Sequence, residues 1–315
     1  MMEKSTIKVW KITWTHLFAP SKEEVQRLSQ LFDFHEIIEE DLLEPNIQDK
    51  VDIYEDYLFL VLHFPKYNLK LQKYTLNEFK IIIGKNFIIS ISSHSSSHIR
   101  NLMKKYQEES SKIEDDEEYK ISPYYILYLI IDSMYEKTIN LLQKNNKDIL
   151  EMEEKLFAGG GLSKDLLEKM MIKKRNVNFL KYIFLPQSEI LEEVKNMLIE
   201  FWKDEEEAKE EVELHFEDLE YKLDKIQAQI EILVSHIDSL TDVYNALMNI
   251  QINTIITILT IFTAIVGIHT LIAWWYGMNI ALPWQDNPFM FVIILGLTLI
   301  ITIWMIILFK IKKWI

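Results

Sequence analysis

The chain has 315 residues, enough for about two domains, with 34 basic and 48 acidic side chains. The first 250 residues hold 31 of the basic and 47 of the acidic residues, so this part lacks the basic surface that a nucleic acid partner requires. Cysteine is absent, which excludes disulfides and thiolate metal sites.

The N-terminal third has the pattern of a mixed α/β domain. Its first 30 residues lack the apolar stretch of a signal peptide, so we expect this domain to lie in the cytoplasm. Ser21 and Glu24 form a capping-box pattern that predicts a helix to about Phe32. Strands are predicted at Ile7–Thr13, Tyr57–Phe64, Phe79–Ile83 and Phe87–Ser92, and Gly84-Lys85-Asn86 joins the last two as a hairpin.

Beyond about residue 120 the apolar residues follow helical spacing. They predict one helix over Tyr124–Phe157 and a second over Leu166–Phe201, interrupted near Pro186. A third helix begins near Glu205 and meets no Pro or Gly before Gly267, so it is expected to be unusually long. A helix of this length needs partners along its surface.

Two long uncharged runs lie near the C-terminus. Neither Val243–Gln285 nor Asn287–Phe309 contains an Asp, Glu, Lys or Arg, and each exceeds the roughly 20 apolar residues that cross a bilayer as a helix. Lys310, Lys312 and Lys313 follow the second run, and the positive-inside rule places them in the cytoplasm. Two spans would return the chain to the same side, so both termini are expected in the cytoplasm and the protein in the cell membrane.

The predicted fold is an α+β cytoplasmic domain followed by a long stalk helix and two C-terminal transmembrane helices. The expected segments are a cytoplasmic α/β domain (1–120), a cytoplasmic helical hairpin (121–203), a stalk helix (204–248), a first transmembrane helix (249–276), an external loop (277–288), a second transmembrane helix (289–309) and a basic cytoplasmic tail (310–315).

The first span carries a stripe of polar and small residues, which we call the polar stripe. Its members recur every three or four positions and so share one helix face: Asn249, Asn253, Ile256, Thr260, Thr263, Gly267, Thr270 and Trp274. Six of these eight are polar or Gly, and polar groups at membrane depth usually face a protein interior or a water-filled path. A single such Thr or Asn is more often bonded to its own backbone or to a neighbouring helix. The complete stripe favours a pore, which several copies of a two-span chain would have to enclose.

The sequence Tyr276-Gly277-Met278-Asn279, placed where the first span leaves the membrane, resembles the signature of the CorA family of magnesium channels and transporters. The resemblance extends over nearly the whole chain. It implies a funnel-shaped homo-oligomer, a pentamer in that family, that admits Mg²⁺ through the cell membrane under the membrane potential.

The resemblance also assigns roles along the pore. It implies a selectivity filter at Gly277, Met278 and Asn279. Polar rings would fall on Asn253 and Thr270. The remaining assignments are a hydrophobic constriction at Ile256 and Leu259 and a carboxylate ring at Asp242. The polar stripe itself adds Thr260, Thr263 and Gly267 as expected pore-lining positions.

A second family element lies in the cytoplasmic domain. Ile38-Glu39-Glu40-Asp41-Leu42-Leu43 resembles the family segment whose Asp shares a regulatory Mg²⁺ with a stalk Asp of the neighbouring subunit. The matching stalk position is Asp218, so the resemblance implies a regulatory site formed by Asp41 and Asp218 with Glu40 beside them. Without the family, Glu40 and Asp41 would be interpreted as a solvated helix face.

The chain departs from the family pattern at two pore positions. Trp274 stands where the family usually has Gly, and His269 beside Thr270 is unusual; hydrogen-bonded packing of His269 is the favoured interpretation. Gly159-Gly160-Gly161 lacks the Gly-Lys-Ser/Thr of a phosphate-binding loop, and the sequence has no Gly-x-Ser-x-Gly or zinc-protease motif. We therefore expect a transporter and no enzymatic activity. Alternatives are a Co²⁺, Ni²⁺ or Zn²⁺ transporter of the same family, and a membrane-anchored sensor or scaffold.

Overall fold

The computed structural model describes residues 4–9, 11–93, 97–110, 122–158, 162–278 and 289–312. Within it the chain divides into two compact units, Met1–Leu240 and Thr241–Ile315. The strands are β1 Lys4–Val9, β2 Ile12–Phe18, β3 Lys50–Ile53, β4 Tyr57–Asn68, β5 Lys73–Gly84 and β6 Phe87–Ser92. The helices are α1 Lys22–Phe32, α2 Glu36–Leu43, α3 Ser97–Ser110, α4 Pro123–Phe157, α5 Lys164–Phe184, α6 Gln187–Phe201, α7 Glu206–Tyr276 and α8 Met290–Ile311.

The six strands form one sheet in the order β1-β2-β6-β5-β4-β3, antiparallel except for the parallel pair β2 and β6. The hairpin between β5 and β6 is confirmed, with Ile83 opposite Ile88. A Cβ at Gly84 would lie 2.3 Å from the Phe87 ring, so any larger residue at this turn would force that ring to move. The expected single strand over Ile7–Thr13 is wrong, because the chain turns back after Val9 and forms two paired strands.

Both faces of the sheet are covered, which explains the continuous apolar run of β4. On one face, Tyr57, Phe59 and Val61 join a core with α1 and α2. On the other face, the Phe64 ring packs against Tyr135 of α4 and Phe184 of α5. The capping box at the start of α1 is confirmed, since the Glu24 backbone N–H donates to Ser21 Oγ at 3.3 Å.

The helix-rich part agrees with the predicted pattern: α4 is one long helix, and the second predicted helix breaks at Pro186 into α5 and α6. Helix α7 contributes a stripe of buried residues spaced alternately by four and three: Val212, Phe216, Leu219, Leu223, Ile226, Ile230, Leu233, Ile237 and Leu240. A strict seven-residue repeat of this kind is the seam of left-handed helix packing. The partners that a long helix needs are therefore supplied by helices of the same chain, through contacts such as Tyr124 with Glu211 and Lys195 with Glu220.

The second unit holds the end of α7 and all of α8. Both helices are long and apolar enough to cross a membrane, and only 6% of the most apolar stretch of each is buried. A core helix of a water-soluble domain would be mostly buried, so these surfaces are suited to lipid or to further protein chains. Helix α7 runs without a break through Gly267 to Tyr276, as predicted.

Candidate ion pathway and regulatory site

The polar stripe lies on a single uninterrupted helix, and all eight of its residues are exposed in the single chain. Helix α8 leaves this face uncovered. In the two spans, the buried side chains are Ile261 of α7 and Met305 of α8. Ile261 follows Thr260 by one position, a rotation of about 100°, so it points to a different side of the helix.

His269 belongs to the side of α7 that contacts α8. Its Nε2 lies 3.0 Å from Thr302 Oγ1 of α8, and its Nδ1 lies 2.7 Å from the Ile265 carbonyl oxygen. The favoured interpretation of His269, hydrogen-bonded packing, is therefore confirmed. This residue stands beside Thr270 in sequence but turns away from the stripe.

The threonine hydroxyls of the stripe all make the same local hydrogen bond. Thr260 donates to the Ile256 carbonyl at 2.8 Å, and Thr263 and Thr270 donate in the same way to the carbonyls four residues earlier, at 2.7 and 2.8 Å. Each hydroxyl proton is therefore directed at the helix backbone. The oxygen lone pairs remain, so this face offers hydrogen-bond acceptors and no hydroxyl donors at these positions.

Two large apolar side chains lie in the N-terminal half of the first span, at the expected constriction. Ile256 and Leu259 are exposed by 54% and 62%. Asp242, the expected carboxylate ring, is exposed on the same helix, and Asn253 lies between it and the constriction. Their pore-lining roles stay predictions, since these roles require neighbouring subunits.

The expected selectivity filter is described only in part. The Gly277 N–H donates to the Ala273 and Trp274 carbonyls at 3.0 and 3.2 Å, so this glycine closes the last turn of α7. Met278 is 39% exposed, and Trp274 is 73% exposed on the stripe. Asn279 lies outside the described residues.

Asp41, the first carboxylate of the expected regulatory site, forms an ion pair with a lysine of the same chain. Lys50 Nζ lies 2.5 Å from Asp41 Oδ2 and 3.3 Å from Asp52 Oδ2. Burial lowers the pKa of Lys50, but its hydrogen bond to Asp41 and the charge of Asp52 outweigh this and raise the pKa above its usual value. Lys50 is therefore a full positive charge at neutral pH, while Glu40 is exposed beside this pair.

The second carboxylate, Asp218, is also compensated. Its Oδ2 accepts a hydrogen bond from Tyr128 Oη at 2.9 Å and lies 3.1 Å from Lys222 Nζ. Lys222 also contacts Asp132 and, at 3.8 Å, Glu136 of α4. Burial raises the pKa of Tyr128 to about 12, with a further contribution from the bond to Asp218, so this hydroxyl stays a donor.

Sequence reasoning identified neither lysine as a partner of these carboxylates. Asp218 and Lys222 have the i, i+4 spacing of a helical ion pair, a signal that was present in the sequence. Lys50 is brought to Asp41 by the pairing of β3 with β4, which the sequence did not predict. Among the described residues, no cluster of three or more His, Asp or Glu side chains is arranged to hold a metal ion within one chain.

Comparison with known proteins extends over almost the whole chain. The family described as CorA-like Mg²⁺ transporter protein matches residues 10–312. The cobalt/magnesium transport protein CorA of Thermotoga maritima is 25% identical over 96% of this chain and 83% of its own length. The complete CorA magnesium transporter of Methanocaldococcus jannaschii superimposes with a TM-score of 0.81 at 22% identity, covering 99% of this chain and 94% of that one. The full-length CmaX protein gives a TM-score of 0.73 at 15% identity, with 96% and 89% covered.

Proposed function

The chain belongs to the CorA-like Mg²⁺ transporter family, and we propose that it admits Mg²⁺ through the cell membrane, driven by the membrane potential. Co²⁺ is the second candidate ion, because the Thermotoga maritima relative is named for both cobalt and magnesium. Two charges that move through 100 mV release about 4.6 kcal/mol, so influx needs no nucleotide.

The observation that best supports this proposal is the exposed polar stripe, whose threonines present hydrogen-bond acceptors. Mg²⁺ prefers six oxygen ligands and gives up its water reluctantly. A hydrated ion presents water hydrogens outward, and these match the hydroxyl oxygens of Thr260, Thr263 and Thr270, whose protons are bound to the backbone. Neutral acceptors bind weakly enough for the ion to leave. A lone membrane anchor has no use for such a face.

The pathway requires several chains around one axis. A funnel-shaped homopentamer in the lipid bilayer, with both termini in the cytoplasm, is the assembly that the family resemblance implies. In it, Gly277, Met278 and Asn279 would select hydrated Mg²⁺ at the external mouth. Ile256 and Leu259 would form a hydrophobic gate that opposes a hydrated ion by excluding water.

Regulation is proposed through Mg²⁺ held between subunits by Asp41 of one and Asp218 of the next, with Glu40 nearby. The donor set fits the ion, since it consists of carboxylate oxygens, the ligands that Mg²⁺ prefers. Asp41 and Asp218 are also within reach of solvent, with 21% and 41% of their side chains exposed. Mg²⁺ bound there would favour the closed state by its higher affinity for that state.

The first experiment is Mg²⁺ uptake into proteoliposomes with an inside-negative potential, comparing the natural chain with Asn279→Ala. We expect uptake that depends on Asn279 and that cobalt hexammine, a stable mimic of hydrated Mg²⁺, blocks. Uptake of Co²⁺ in the same vesicles decides between the two ions. Absence of flux from a folded oligomer, at low and high internal Mg²⁺, would instead support the sensor or scaffold alternative.

The regulatory site is tested separately with Asp41→Ala combined with Asp218→Ala. We expect internal Mg²⁺ to inhibit uptake by the natural chain and to lose this effect in the double variant. Unchanged inhibition would reject these residues as the sensor and leave the pore proposal standing.

A further inference from the structure

Both proposed regulatory carboxylates already carry an ammonium group as counter-ion. Lys50 Nζ contacts Asp41 Oδ2 at 2.5 Å, and Lys222 Nζ contacts Asp218 Oδ2 at 3.1 Å. Within each subunit, the oxygens that would coordinate Mg²⁺ are therefore the oxygens that bind a lysine. An arriving cation has to displace the lysine or share the carboxylate with it.

We propose that Lys50 and Lys222 are built-in competitors of regulatory Mg²⁺ and set the concentration at which the closed state forms. This inference rests on the proposed regulatory site. At low Mg²⁺ concentration each lysine is bound to its carboxylate, and at high Mg²⁺ concentration the ion displaces it.

The surroundings of each lysine make the exchange reversible. Lys50 keeps a second carboxylate, Asp52 at 3.3 Å, when it leaves Asp41. Lys222 keeps Asp132 and has Glu136 at 3.8 Å when it leaves Asp218. Because an ammonium without a partner would be costly in these partly buried places, the second carboxylate lowers the cost of displacement.

The same two ion pairs also reduce the electrostatic repulsion in the site when no Mg²⁺ is bound. Without the lysines, Asp41 and Asp218 of neighbouring subunits would repel each other as bare carboxylates. With Lys50 and Lys222 in place, part of this repulsion is cancelled inside each subunit. The site therefore responds at a higher Mg²⁺ concentration than the same carboxylates would alone.

The test uses the full-length oligomer in detergent and follows its thermal unfolding temperature as Mg²⁺ is raised, which reports binding without any flux. We expect Lys50→Met and Lys222→Met each to shift the midpoint of the Mg²⁺ effect to a concentration on the order of tenfold lower, because Mg²⁺ no longer has to break an ion pair whose attraction in a polar environment corresponds to about that factor.

Three control variants separate the contact from general charge effects. Lys225→Met removes an exposed lysine from α7, the helix that also carries Lys222. Lys50→Arg keeps the positive charge next to Asp41. Both variants should leave the midpoint within about twofold of the natural chain, because neither removes a charge that contacts Asp41 or Asp218. Lys222→Met with Asp132→Asn restores the local charge total and relieves repulsion between carboxylates. It should still respond at lower Mg²⁺, because the contact with Asp218 is gone.

The outcomes distinguish the two proposals. A Mg²⁺ effect that persists in the Asp41→Ala, Asp218→Ala variant overturns the regulatory site and the lysine proposal with it. An effect that disappears in that variant, with unchanged midpoints in Lys50→Met and Lys222→Met, overturns the lysine proposal alone. A return to the natural midpoint in Lys222→Met with Asp132→Asn shows that total charge sets the response and also overturns it.

Discussion

Two threonines of α7 provide a matched test of the acceptor stripe. Thr260 and Thr254 each donate their hydroxyl proton to the carbonyl four residues earlier, at 2.8 and 2.9 Å. Only Thr260 lies on the stripe, because six residues carry Thr254 about 120° around the helix. Substitution by Val keeps the side-chain shape and removes the same local hydrogen bond at both positions. The variants therefore differ only in the face that loses an oxygen.

The expected loss at Thr260 follows from the number of contacts that a hydrated ion makes there. Each net hydrogen bond contributes about 0.5–1.5 kcal/mol. If two hydroxyls of the ring contact the ion at once, Thr260→Val raises the barrier by about 1–3 kcal/mol, which lowers flux by about 5- to 150-fold. Thr254→Val should leave flux within about twofold of the natural chain, since its hydroxyl lies off the stripe and makes no contact with the ion.

The assay is Mg²⁺ uptake into proteoliposomes under an inside-negative potential, with thermal unfolding in detergent to confirm that both variants fold equally well. Equal losses in Thr260→Val and Thr254→Val would show that the local backbone bond, and not the stripe, matters. Normal flux in Thr260→Val would remove the acceptor argument for the pathway.

Two further predictions concern stability. Thr302→Val removes the hydrogen bond between α8 and His269 and should lower the free energy of unfolding in detergent by about 0.6–1.7 kcal/mol. The control Thr298→Val loses only a hydrogen bond within α8 and should cost less. Equal costs would contradict a role for the interhelical contact. Burial lowers the pKa of His63, but its buried hydrogen bond to Asp49 at 2.7 Å outweighs this and raises the pKa above 6.5. Because the folded pKa is raised, this stabilisation is complete below pH 6.5 and is lost as the pH rises through the folded value. Unfolding temperatures at several pH values should therefore fall less steeply above pH 6.5 in His63→Gln than in the natural chain, and identical slopes would refute the coupling.

The sequence predicted best those features that one helix or one hairpin determines by itself. The absence of Pro and Gly before Gly267 predicted the unbroken α7, and Gly84-Lys85-Asn86 predicted the hairpin. The polar stripe was equally local, because helical spacing alone decides which residues share a face. The capping box at Ser21 belongs to the same class.

Features that depend on tertiary pairing were missed. The short edge strand β3 has four residues, too few for a periodic pattern, and it carries Lys50 to Asp41. The ion pairs of Lys222 with α4 join residues 90 positions apart, which no local pattern can reveal. His269 is an intermediate case, since packing was favoured from chemistry while its partner Thr302 became apparent only in three dimensions.

The proposed pathway and the proposed sensor differ in their electrostatics, and the difference follows from what each has to do. A conducting site must release its ion quickly, and Thr260, Thr263 and Thr270 of the stripe offer neutral oxygen acceptors. A sensing site must remain occupied for as long as the ion is abundant, which calls for carboxylates such as Asp41 and Asp218. Carboxylates without a counter-ion would bind Mg²⁺ at lower concentrations, so a higher threshold needs an opposing charge. Lys50 and Lys222 lie within contact distance of these carboxylates, so in this proposal substitutions at the two lysines would change the threshold of the sensor without altering any residue of the pathway.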